Sequence, residues 1–403
     1  MAGLLPVDEA LRRLLDDVTA LPAEEISIGE AAGHVLAAAV EARRTQPPFP
    51  ASAMDGYAVR AADTTDPSTA LKVIGQSIAG QRFDGAVGAG EAVRIFTGAP
   101  VPEGADAVLL QEDAEPDEDG RTIRAREAVT PGRHVRAAGL DFRAGDVLLA
   151  KGRVLDAAAL SLAAAGNHPL LSVVRTPLVA ILATGSELLP PGSEPGPDQI
   201  IASNGYGVAA LARDAGARVL DLGIAPDDRG VLAERVRDAI SAGADVIVTL
   251  GGASVGDHDL VREVLTGEGM ALDFWKIAMR PGKPLMFGRL AETRVLGLPG
   301  NPVSSLVCAH LFLKPLLAKL GGRPHVANIR EAVLGEAMKA NDHRQDYVRA
   351  AATLEDGRLV ARPFAVQDSS MLTTFAEANA LIIRAPNAAA SQAGDACRVL
   401  MLR

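Results

Sequence analysis

Four polar, glycine-rich turns adjoin short apolar segments in the second half of the chain. They are residues 184–187 (TGSE), 251–259 (GGASVGDHD), 280–284 (RPGKP) and 299–305 (PGNPVSS). Glycine lets backbone N–H groups approach an anion, and a helix that begins after such a turn offers the positive end of its dipole. Hydroxyl groups and fixed positive charge in the same turns add hydrogen-bond donors. The set predicts a site for a phosphate-bearing ligand or another oxyanion.

The turn residues that we expect at this site are glycines, hydroxyl-bearing residues, one amide and two cations. They are Thr184, Gly251, Gly252, Ser254, Arg280, Lys283, Gly300, Asn301 and Ser304. A single glycine-rich turn is weak support, because turns need glycine for steric reasons alone. Four such turns on one sheet favour a binding site.

Four carboxylates lie in or beside the same turns. They are Glu187, Asp227, Asp257 and Asp259. Hard oxygen ligands beside a phosphate site suit Mg²⁺, which proteins usually hold with one or two carboxylates together with phosphate and water. For Asp227 and Asp257 an alternative stays open, in which each side chain caps or stabilises the first turn of a helix.

Several familiar signatures are absent from the sequence. No Gly-x4-Gly-Lys-Ser/Thr segment is present, so the RPGKP turn is not a Walker A loop, and no GxGxxG follows the first strand of this region. The seven histidines have no HxxxH spacing, and two cysteines cannot form a cysteine-rich zinc site. Zinc is therefore not expected.

Alternating strands and helices must position the four turns. We predict strands at 178–183, 218–223, 245–250, 284–288 and 294–298, and helices at 204–215, 228–241, 257–265 and from 302 to the Gly321–Gly322 pair. The segment DVIVTL is apolar almost throughout, as expected for a parallel strand buried on both faces. The pattern predicts a doubly wound α/β domain, in which ligands bind beyond the carboxyl ends of the strands.

The rest of the chain is predicted to be partly helical and partly β. We expect helices at 7–18, from the Ser27–Glu30 capping box toward residue 40, and at 155–165, short strands between 71 and 135 and after 324, and a hairpin at 139–152. Helical segments flank the first β region on both sides. We therefore expect four domains: a discontinuous helical, elongated domain (1–44 and 139–174), an inserted β domain (45–138), the α/β domain (175–325) and a C-terminal β domain (326–403).

Composition limits the class of protein. The 403 residues carry a formal net charge of −10, so binding of nucleic acid through bulk positive charge is not expected. We find no segment with the ~18 apolar residues of a membrane span, and the N-terminal stretch predicts an amphipathic helix and not a signal peptide. Two cysteines cannot build a disulfide framework, which fits a cytoplasmic protein.

Seven long motifs in order resemble those of one known family. They are SAMDGYAVR (52–60), TGAPVPEGADAV (97–108), GLDFRAGDVLLAKG (139–152), ATGSEL (183–188), LGGASVGDHD (250–259), MRPGKP (279–284) and LPGNPVSS (298–305). The chain is similar in these motifs to the MoeA family, the molybdopterin molybdenumtransferases related to the E domain of gephyrin. RQDYVRA (344–350) and QDSSMLTTFAEANAL (367–381) extend the resemblance to nearly the whole chain.

The resemblance implies a fold and a reaction. The implied fold is an elongated homodimer of four subdomains, with a MogA-like α/β domain that binds molybdopterin and a C-terminal β-barrel. The implied reaction inserts molybdenum from molybdate into adenylylated molybdopterin with Mg²⁺ and releases AMP. A molybdopterin adenylyltransferase and acceptor molybdoenzymes are implied as partners, and neither nucleic acid nor a membrane is.

The resemblance also implies roles for individual residues. It implies catalytic roles for Asp55, Glu187, Asp227, Asp259 and Lys283, metal binding by Glu187, Asp227 and Asp259, and substrate or oxyanion contacts from Thr97, Asp141, Arg349 and one of Ser369 or Ser370, besides the turn residues above. In family dimers, Asp55, Thr97 and Asp141 reach the site from the neighbouring protomer. Asp368 stands where the family commonly has glycine, so the sequence leaves the choice between Ser369 and Ser370 open.

Two other functions remain open at this stage. A molybdopterin adenylyltransferase shares the α/β domain, but such proteins usually lack segments equivalent to 1–174 and 326–403. A non-catalytic carrier or scaffold would bind the cofactor without turnover. The molybdenumtransferase would release AMP, the adenylyltransferase would release pyrophosphate, and a carrier or scaffold would release neither.

Overall fold

The computed structural model describes residues 4–251 and 260–403. The chain divides into two compact units. One unit contains residues 4–24, 33–35 and 174–403 apart from 252–259, and the other contains residues 25–32 and 36–173.

The helices and strands up to residue 174 are short. They are α1 (Val7–Leu15), β1 (Ala23–Ser27), β2 (Val40–Glu41), β3 (Ala51–Ser52), β4 (Gly56–Val59), β5 (Ala70–Ser77), β6 (Glu91–Ile95), β7 (Ala107–Leu110), β8 (Ala114–Pro116), β9 (Thr122–Ala125), β10 (Val135–Arg136), β11 (Val147–Leu149), α2 (Ala157–Ala165) and β12 (Leu170–Val174).

The elements after residue 174 alternate between strand and helix and then become mostly β. They are β13 (Leu178–Thr184), β14 (Leu188–Leu189), β15 (Ile200–Ile201), α3 (Asn204–Asp214), β16 (Arg218–Ala225), α4 (Arg229–Ser241), β17 (Val246–Leu250), α5 (Leu260–Gly267), β18 (Ala271–Trp275), β19 (Met279–Arg280), β20 (Met286–Leu290), β21 (Thr293–Leu298), α6 (Pro302–Cys308), α7 (Lys314–Leu320), β22 (Ile329–Leu334), β23 (Gln345–Glu355), β24 (Arg358–Pro363), α8 (Leu372–Glu377), β25 (Ala380–Arg384) and β26 (Ala396–Met401).

The unit of residues 25–32 and 36–173 is built around a six-stranded sheet in the order β7-β4-β6-β5-β9-β8. Only the β5–β6 pair within this sheet is parallel. Neighbouring residues on one strand point to opposite faces, so Val59 packs in one apolar cluster and Ala58 in another. Strands β2 and β11, and β3 and β10, pair outside this sheet.

Two local predictions in this unit were wrong. No helix follows Ser27, because the Ser27 hydroxyl bonds the Glu30 carboxylate itself at 2.9 Å and Gly33 then takes a φ of +76°. That φ is left-handed and ends any helix that would continue toward residue 40. Residues 139–152 do not form a hairpin either, since β11 pairs with β2, about a hundred residues earlier in the chain.

The unit that contains residues 174–403 has a six-stranded sheet in the order β16-β13-β17-β21-β20-β18. The first four strands are parallel. Strand β20 pairs antiparallel with β21, and β18 pairs antiparallel with β20. Alternate residues of β17 pack on opposite faces: Val246 and Val248 on one side, Ile247 on the other. Both faces are covered, which confirms the predicted doubly wound α/β architecture.

The helices of this sheet begin at the predicted signals. Asp228 caps α4 by accepting a 3.0 Å hydrogen bond from the Val231 N–H. Asn301 and Pro302 begin a helical stretch that continues through α6, a π-helical turn at Ala309–Leu313, and α7. By length and composition this stretch resembles a membrane span, but most of it is buried in the apolar core, as in a core helix of a globular domain.

The C-terminal strands form a closed five-stranded barrel. The order is β23-β24-β22-β26-β25, and β25 pairs again with β23. Small residues such as Ala350 and Ala361 share its interior with Ile382 and Val399, as expected for a narrow barrel. The two-residue strand β19, which the sequence analysis did not predict, joins β23 in parallel from outside the barrel.

Candidate functional site

Three parallel strands end side by side at one edge of the α/β sheet. The register pairs Ala183 with Leu250, and Leu250 with Leu298, at the carboxyl ends of β13, β17 and β21. Strand β20 runs antiparallel and pairs Met286 with Gly297, so its first residues lie at the same edge. The sheet thus brings the turns after Ala183, Leu250 and Leu298 to one place, as the sequence predicted.

Two glycines let these turns approach each other closely. Gly251 has a φ of +100°, and a Cβ there would lie 2.6 Å from the carbonyl oxygen of Thr184. A Cβ on Gly300 would lie 3.6 Å from the Cα of Gly251. The side chain of Asn204 donates a 2.7 Å hydrogen bond to the Gly300 carbonyl and holds the third turn in place.

The turns enclose a cleft of about 670 Å³. The predicted site residues that line it are Thr184, Glu187, Asp227, Gly251, Gly300, Asn301 and Ser304. Thr184 and Ser304 are each only 5% exposed, so their hydroxyls are fixed parts of the cleft wall. The cleft is polar at this wall and is large enough for a small organic ligand.

The cleft carboxylates Glu187 and Asp227 are both exposed. Asp227 accepts a hydrogen bond from the Ser186 N–H at 3.2 Å, and its own N–H donates to the Ser186 hydroxyl at 3.0 Å. Because Asp228 caps α4, the alternative role of Asp227 as the cap of that helix is wrong. Ser186, which the sequence analysis did not single out, fixes the loop that carries Asp227.

The N-terminus of α6 is already in contact with the barrel. The Val303 N–H donates to the Ser369 carbonyl at 3.0 Å, and the Asn301 amide donates to the Ser369 hydroxyl oxygen at 2.8 Å. Pro302 has no N–H to offer. A segment of the barrel, residues 367–370, therefore takes up one of the helix N–H groups that we expected to face a ligand.

Arg349 holds the 367–370 segment from the outer face of the barrel, because it alternates along β23 with the interior residues Val348 and Ala350 and pairs with Leu381, which lies in the α/β core. Its side chain is 1% exposed and donates to the Asp368 carbonyl at 2.7 Å and to the Gln367 side chain at 3.2 Å. Burial lowers the pKa of the Arg349 guanidinium from its ordinary value. The Arg349 cation is fixed by neutral oxygen acceptors, and the nearby Asp368 carboxylate partly offsets its charge.

Asp368 distinguishes the two serines beside it. The Ser370 hydroxyl and backbone N–H both donate to the Asp368 carboxylate, at 2.6 and 2.9 Å, and lower the pKa of that carboxyl. Ser369 instead contacts Asn301, which lines the cleft. The sequence could not separate the two serines, because the distinction depends on an Asx turn closed by Asp368.

Arg280 and Lys283 are not among the residues that line the cleft. Arg280 lines a second cavity of about 560 Å³, together with Lys339, Asp346, Gln367 and other residues near one end of the barrel. Its guanidinium forms ion pairs with Asp346 and, at 3.4 Å, with Asp342. The pairing of β19 with β23 places it there, and a two-residue strand has no sequence pattern that would reveal it.

Asp55, Thr97 and Asp141 belong to the other unit. The Asp55 carboxylate accepts hydrogen bonds from both the N–H and the hydroxyl of Thr97, each at 2.7 Å. These two bonds lower the pKa of Asp55 below its ordinary value. Asp141 is exposed, and its N–H donates to the Gln46 carbonyl at 3.1 Å.

Several predicted residues lie outside the described part of the chain. They are Gly252, Ser254, Asp257 and Asp259. Within residues 4–251 and 260–403, no three histidine, cysteine, aspartate or glutamate side chains are grouped closely enough to hold one metal ion. Glu187 and Asp227 are the predicted metal ligands that the described residues place on the cleft.

Three adjoining family profiles match the chain. The MoeA N-terminal region (domain I and II) matches residues 5–166, a probable molybdopterin binding domain matches 180–319, and the MoeA C-terminal region (domain IV) matches 331–402. The chain belongs to the MoeA family. The family resemblance predicted from the motifs is confirmed.

Individual MoeA relatives are similar over almost the full length. The molybdopterin molybdenumtransferase of Haemophilus influenzae is 35% identical, with 94% of each chain covered. That of Bacillus subtilis is 34% identical, with 99% of this chain and 94% of the relative covered. A molybdopterin biosynthesis MoeA protein from Pyrococcus horikoshii superimposes with a TM-score of 0.85 at 30% identity, over 100% of both chains.

Proposed function

We propose that the chain inserts molybdenum from molybdate into adenylylated molybdopterin and releases AMP during molybdenum cofactor biosynthesis. Its MoeA relatives are molybdopterin molybdenumtransferases, which supports the transferase activity. The observation in this chain that carries the proposal is the contact of Ser369 with Asn301, because it joins the α/β cleft to the segment held by Arg349. Such a place offers hydroxyls and amides to a pterin ligand and positive charge to an oxyanion.

The cleft residues have separable tasks in this proposal. Thr184, Ser304 and the backbone at Gly251 and Gly300 would hold the molybdopterin portion. Ser369, with the charge of Arg349 behind it, would donate to molybdate, a dianion that needs donors in a chain of net charge −10. Arg280 and Lys283 belong to one short loop and would supply further positive charge.

Mg²⁺ fits the exposed carboxylate pair. Glu187 and Asp227 both line the cleft, and two carboxylates completed by phosphate and water are a usual set of ligands for this ion. When bound, Mg²⁺ would balance negative charge on the phosphates as the adenylate is cleaved. Asp259 would be the third acidic group, as the family resemblance implies.

A homodimer is part of the proposal. The resemblance implies that Asp55, Thr97 and Asp141 act at the site of a neighbouring protomer. Separately, the two free cysteines, which form no disulfide, accord with a cytoplasmic protein. We would mix two inactive variants, Glu187→Gln and Asp55→Asn. A shared site predicts that mixed dimers regain activity, since one of their two sites has both native carboxylates.

The proposal is tested by turnover. The full chain is incubated with adenylylated molybdopterin, molybdate and Mg²⁺, and AMP release is measured together with reconstitution of a cofactor-free molybdoenzyme. Glu187→Gln should abolish most of the release, whereas Glu194→Gln, which changes an exposed acid away from the cleft lining, should not. Pyrophosphate release from ATP and molybdopterin would indicate an adenylyltransferase. Tight binding with neither product would indicate a carrier.

A further inference from the structure

Three charged residues form a row across neighbouring strands beside the second cavity. Arg280 on β19 lies directly opposite Asp346 on β23, and Asp346 lies directly opposite Arg384 on β25. Side chains of directly opposite residues lie on the same face of a sheet. One carboxylate is therefore placed between two guanidinium groups, and all three side chains line the 560 Å³ cavity.

Asp346 depends on Arg280. The residue is 6% exposed, and its Oδ2 accepts a hydrogen bond from the Arg280 guanidinium. Its Oδ1 is buried and, in the part of the chain that the structure describes, has no hydrogen-bond partner. The terminal nitrogens of Arg384 donate elsewhere, to Ser391 and to backbone carbonyls, and its buried Nε has no hydrogen-bond partner among the described residues. A buried carboxylate with one bonded partner holds that partner strongly, because losing it would leave the carboxylate buried with no hydrogen bond.

The second carboxylate beside Arg280 is different in kind. Asp342 is partly exposed, lies 3.4 Å from the Arg280 guanidinium and forms a shorter ion pair, 2.6 Å, with Arg344. Exposed pairs at this distance contribute little. Of the two acids, Asp346 is therefore the one that fixes the position of Arg280.

The fixed guanidinium remains half-exposed. The Arg280 side chain is 49% exposed, although one terminal nitrogen bonds Asp346 and the Asn341 side chain and the other lies 3.4 Å from Asp342. Gln367 lines the same cavity and accepts a hydrogen bond from Arg349. Arg280 thus faces the segment that also carries Ser369.

We propose that Asp346 is a positioning residue for oxyanion binding. It fixes the Arg280 guanidinium by a buried ion pair across β19 and β23, so that the remaining N–H groups of Arg280 donate to molybdate. This inference rests on the proposed function, and it assigns Asp346 no contact with the substrate itself. Neutralising Asp346 releases the guanidinium and weakens molybdate binding, although the same change adds to the net positive charge of the cavity.

A double-mutant cycle tests the proposal. Molybdate affinity is measured by equilibrium dialysis, and KM for molybdate and kcat by AMP release, for Asp346→Asn, Arg280→Ala and the double variant. We expect each single change to weaken molybdate binding about tenfold with kcat within twofold, which is the pattern of lost ground-state binding. In the Arg280→Ala background, Asp346→Asn should have no further effect, because it acts through Arg280.

Further variants test whether the effect of Asp346→Asn on molybdate binding comes from the position of Arg280, from lost stability of the protein or from the change in charge. Asp342→Asn removes an acid beside the same arginine and should leave molybdate affinity within twofold of the wild type. If Asp346→Asn fails to fold by circular dichroism, Asp346→Glu keeps the charge and misplaces it, and should weaken binding in the same direction. Tighter binding in Asp346→Asn, or additive losses in the double variant, would overturn the proposal.

The dialysis measurement also distinguishes this inference from the proposed function. Wild-type binding with a non-additive cycle but no AMP release would refute the proposed reaction and leave the positioning role intact. Molybdate-dependent AMP release with unchanged affinity in Asp346→Asn and Asp346→Glu would refute only the positioning role.

Discussion

The side-chain amide of Asn301 donates a 2.8 Å hydrogen bond to the hydroxyl oxygen of Ser369. Asn301 immediately precedes a helix that begins at the edge of the parallel sheet, and Ser369 follows strand β24 of the barrel. The bond joins the α/β sheet to the barrel within one unit, and the two also share an apolar cluster that contains Val303 and Tyr347. Because Ser369 accepts from Asn301, its own hydroxyl proton is directed elsewhere and is free to serve a ligand.

This contact predicts that the two neighbouring serines differ in function. Ser369→Ala should raise KM for molybdate about tenfold, since a hydrogen bond to a charged group contributes roughly 1.5–3 kcal/mol. Ser370→Ala should change KM by less than twofold, because the Ser370 hydroxyl already donates to Asp368. Steady-state AMP release across a molybdate titration measures both, and equal effects would show that Asp368 does not separate the serines.

The loop that carries Arg280 and Lys283 should tolerate no side chain at Gly282. Gly282 has a φ of +109°, and a Cβ there would lie 2.5 Å from the Cys308 sulfur. We expect Gly282→Ala to lower the free energy of unfolding by about 2–4 kcal/mol, part from the left-handed backbone and part from the clash. Chemical denaturation measures the loss.

A matched glycine separates these two parts of the Gly282 effect. Gly243 has a φ of +74° with nothing within 4 Å of an added Cβ, so Gly243→Ala should show the backbone cost alone, about 1 kcal/mol. Adding Cys308→Ala to Gly282→Ala should recover part of the remaining loss. No recovery would mean that the clash with the sulfur is not the cause.

Thr97 should control the ionisation of Asp55. Thr97→Val removes the hydroxyl donor but keeps the N–H donor, so the pKa of Asp55 should rise and still remain below its ordinary value. The folded-state pKa of Asp55 is depressed, so its favourable effect on stability is present above about pH 4 and is lost as the pH falls through the folded-state pKa. The difference between Thr97→Val and wild type should therefore vanish in acid.

Carboxyl-carbon NMR with labelled aspartate measures the Asp55 titration directly. Asp66 is the internal control, because its pKa is lowered by Ser68 in the same way and Thr97 does not contact it. A shift of Asp66 together with Asp55 in Thr97→Val would point to a general change in the unit and contradict the local explanation.

The two cysteines should react at very different rates with a thiol reagent at pH 8. Burial raises the pKa of the fully buried Cys308 thiol far above its ordinary value, and thiolate is the reactive form. Cys397 is only partly buried, and its pKa is raised less, so it should react first. Cys397→Ser should leave a folded protein with no fast-reacting thiol, and rapid modification of Cys308 would contradict its burial.

The sequence predicted the parts of the site that depend on strand ends. Apolar runs such as residues 245–250 identify buried parallel strands, and the turn after each run must then lie at one sheet edge. Thr184, Gly251 and Gly300 were found in this way and do line the cleft. Helix starts at Asp228 and Asn301 were likewise visible, because capping is a local property.

Contacts between distant segments were not visible in the sequence. Nothing local relates Arg280 to Asp346, whose pairing depends on a two-residue strand, or Ser369 to Asn301. The Ser27–Glu30 pair shows the opposite failure, in which a correct local signal stabilised a turn and not a helix. Helix caps and turns depend on residues that are neighbours in the chain, whereas contacts between distant strands and loops depend on how the whole fold packs.

The barrel is closed by its own five strands, yet one end of β23 is completed by β19, which lies far earlier in the chain between two strands of the parallel sheet. A chimera that exchanged residues 326–403 for those of a relative would replace Asp346 and keep Arg280, so the two sides of this ion pair would come from different proteins. Such a graft should succeed only when residues 279–280 are exchanged with it. The C-terminal barrel therefore cannot be exchanged on its own. Recombination between relatives must also keep residues 279–280, which lie outside the barrel segment, matched to β23.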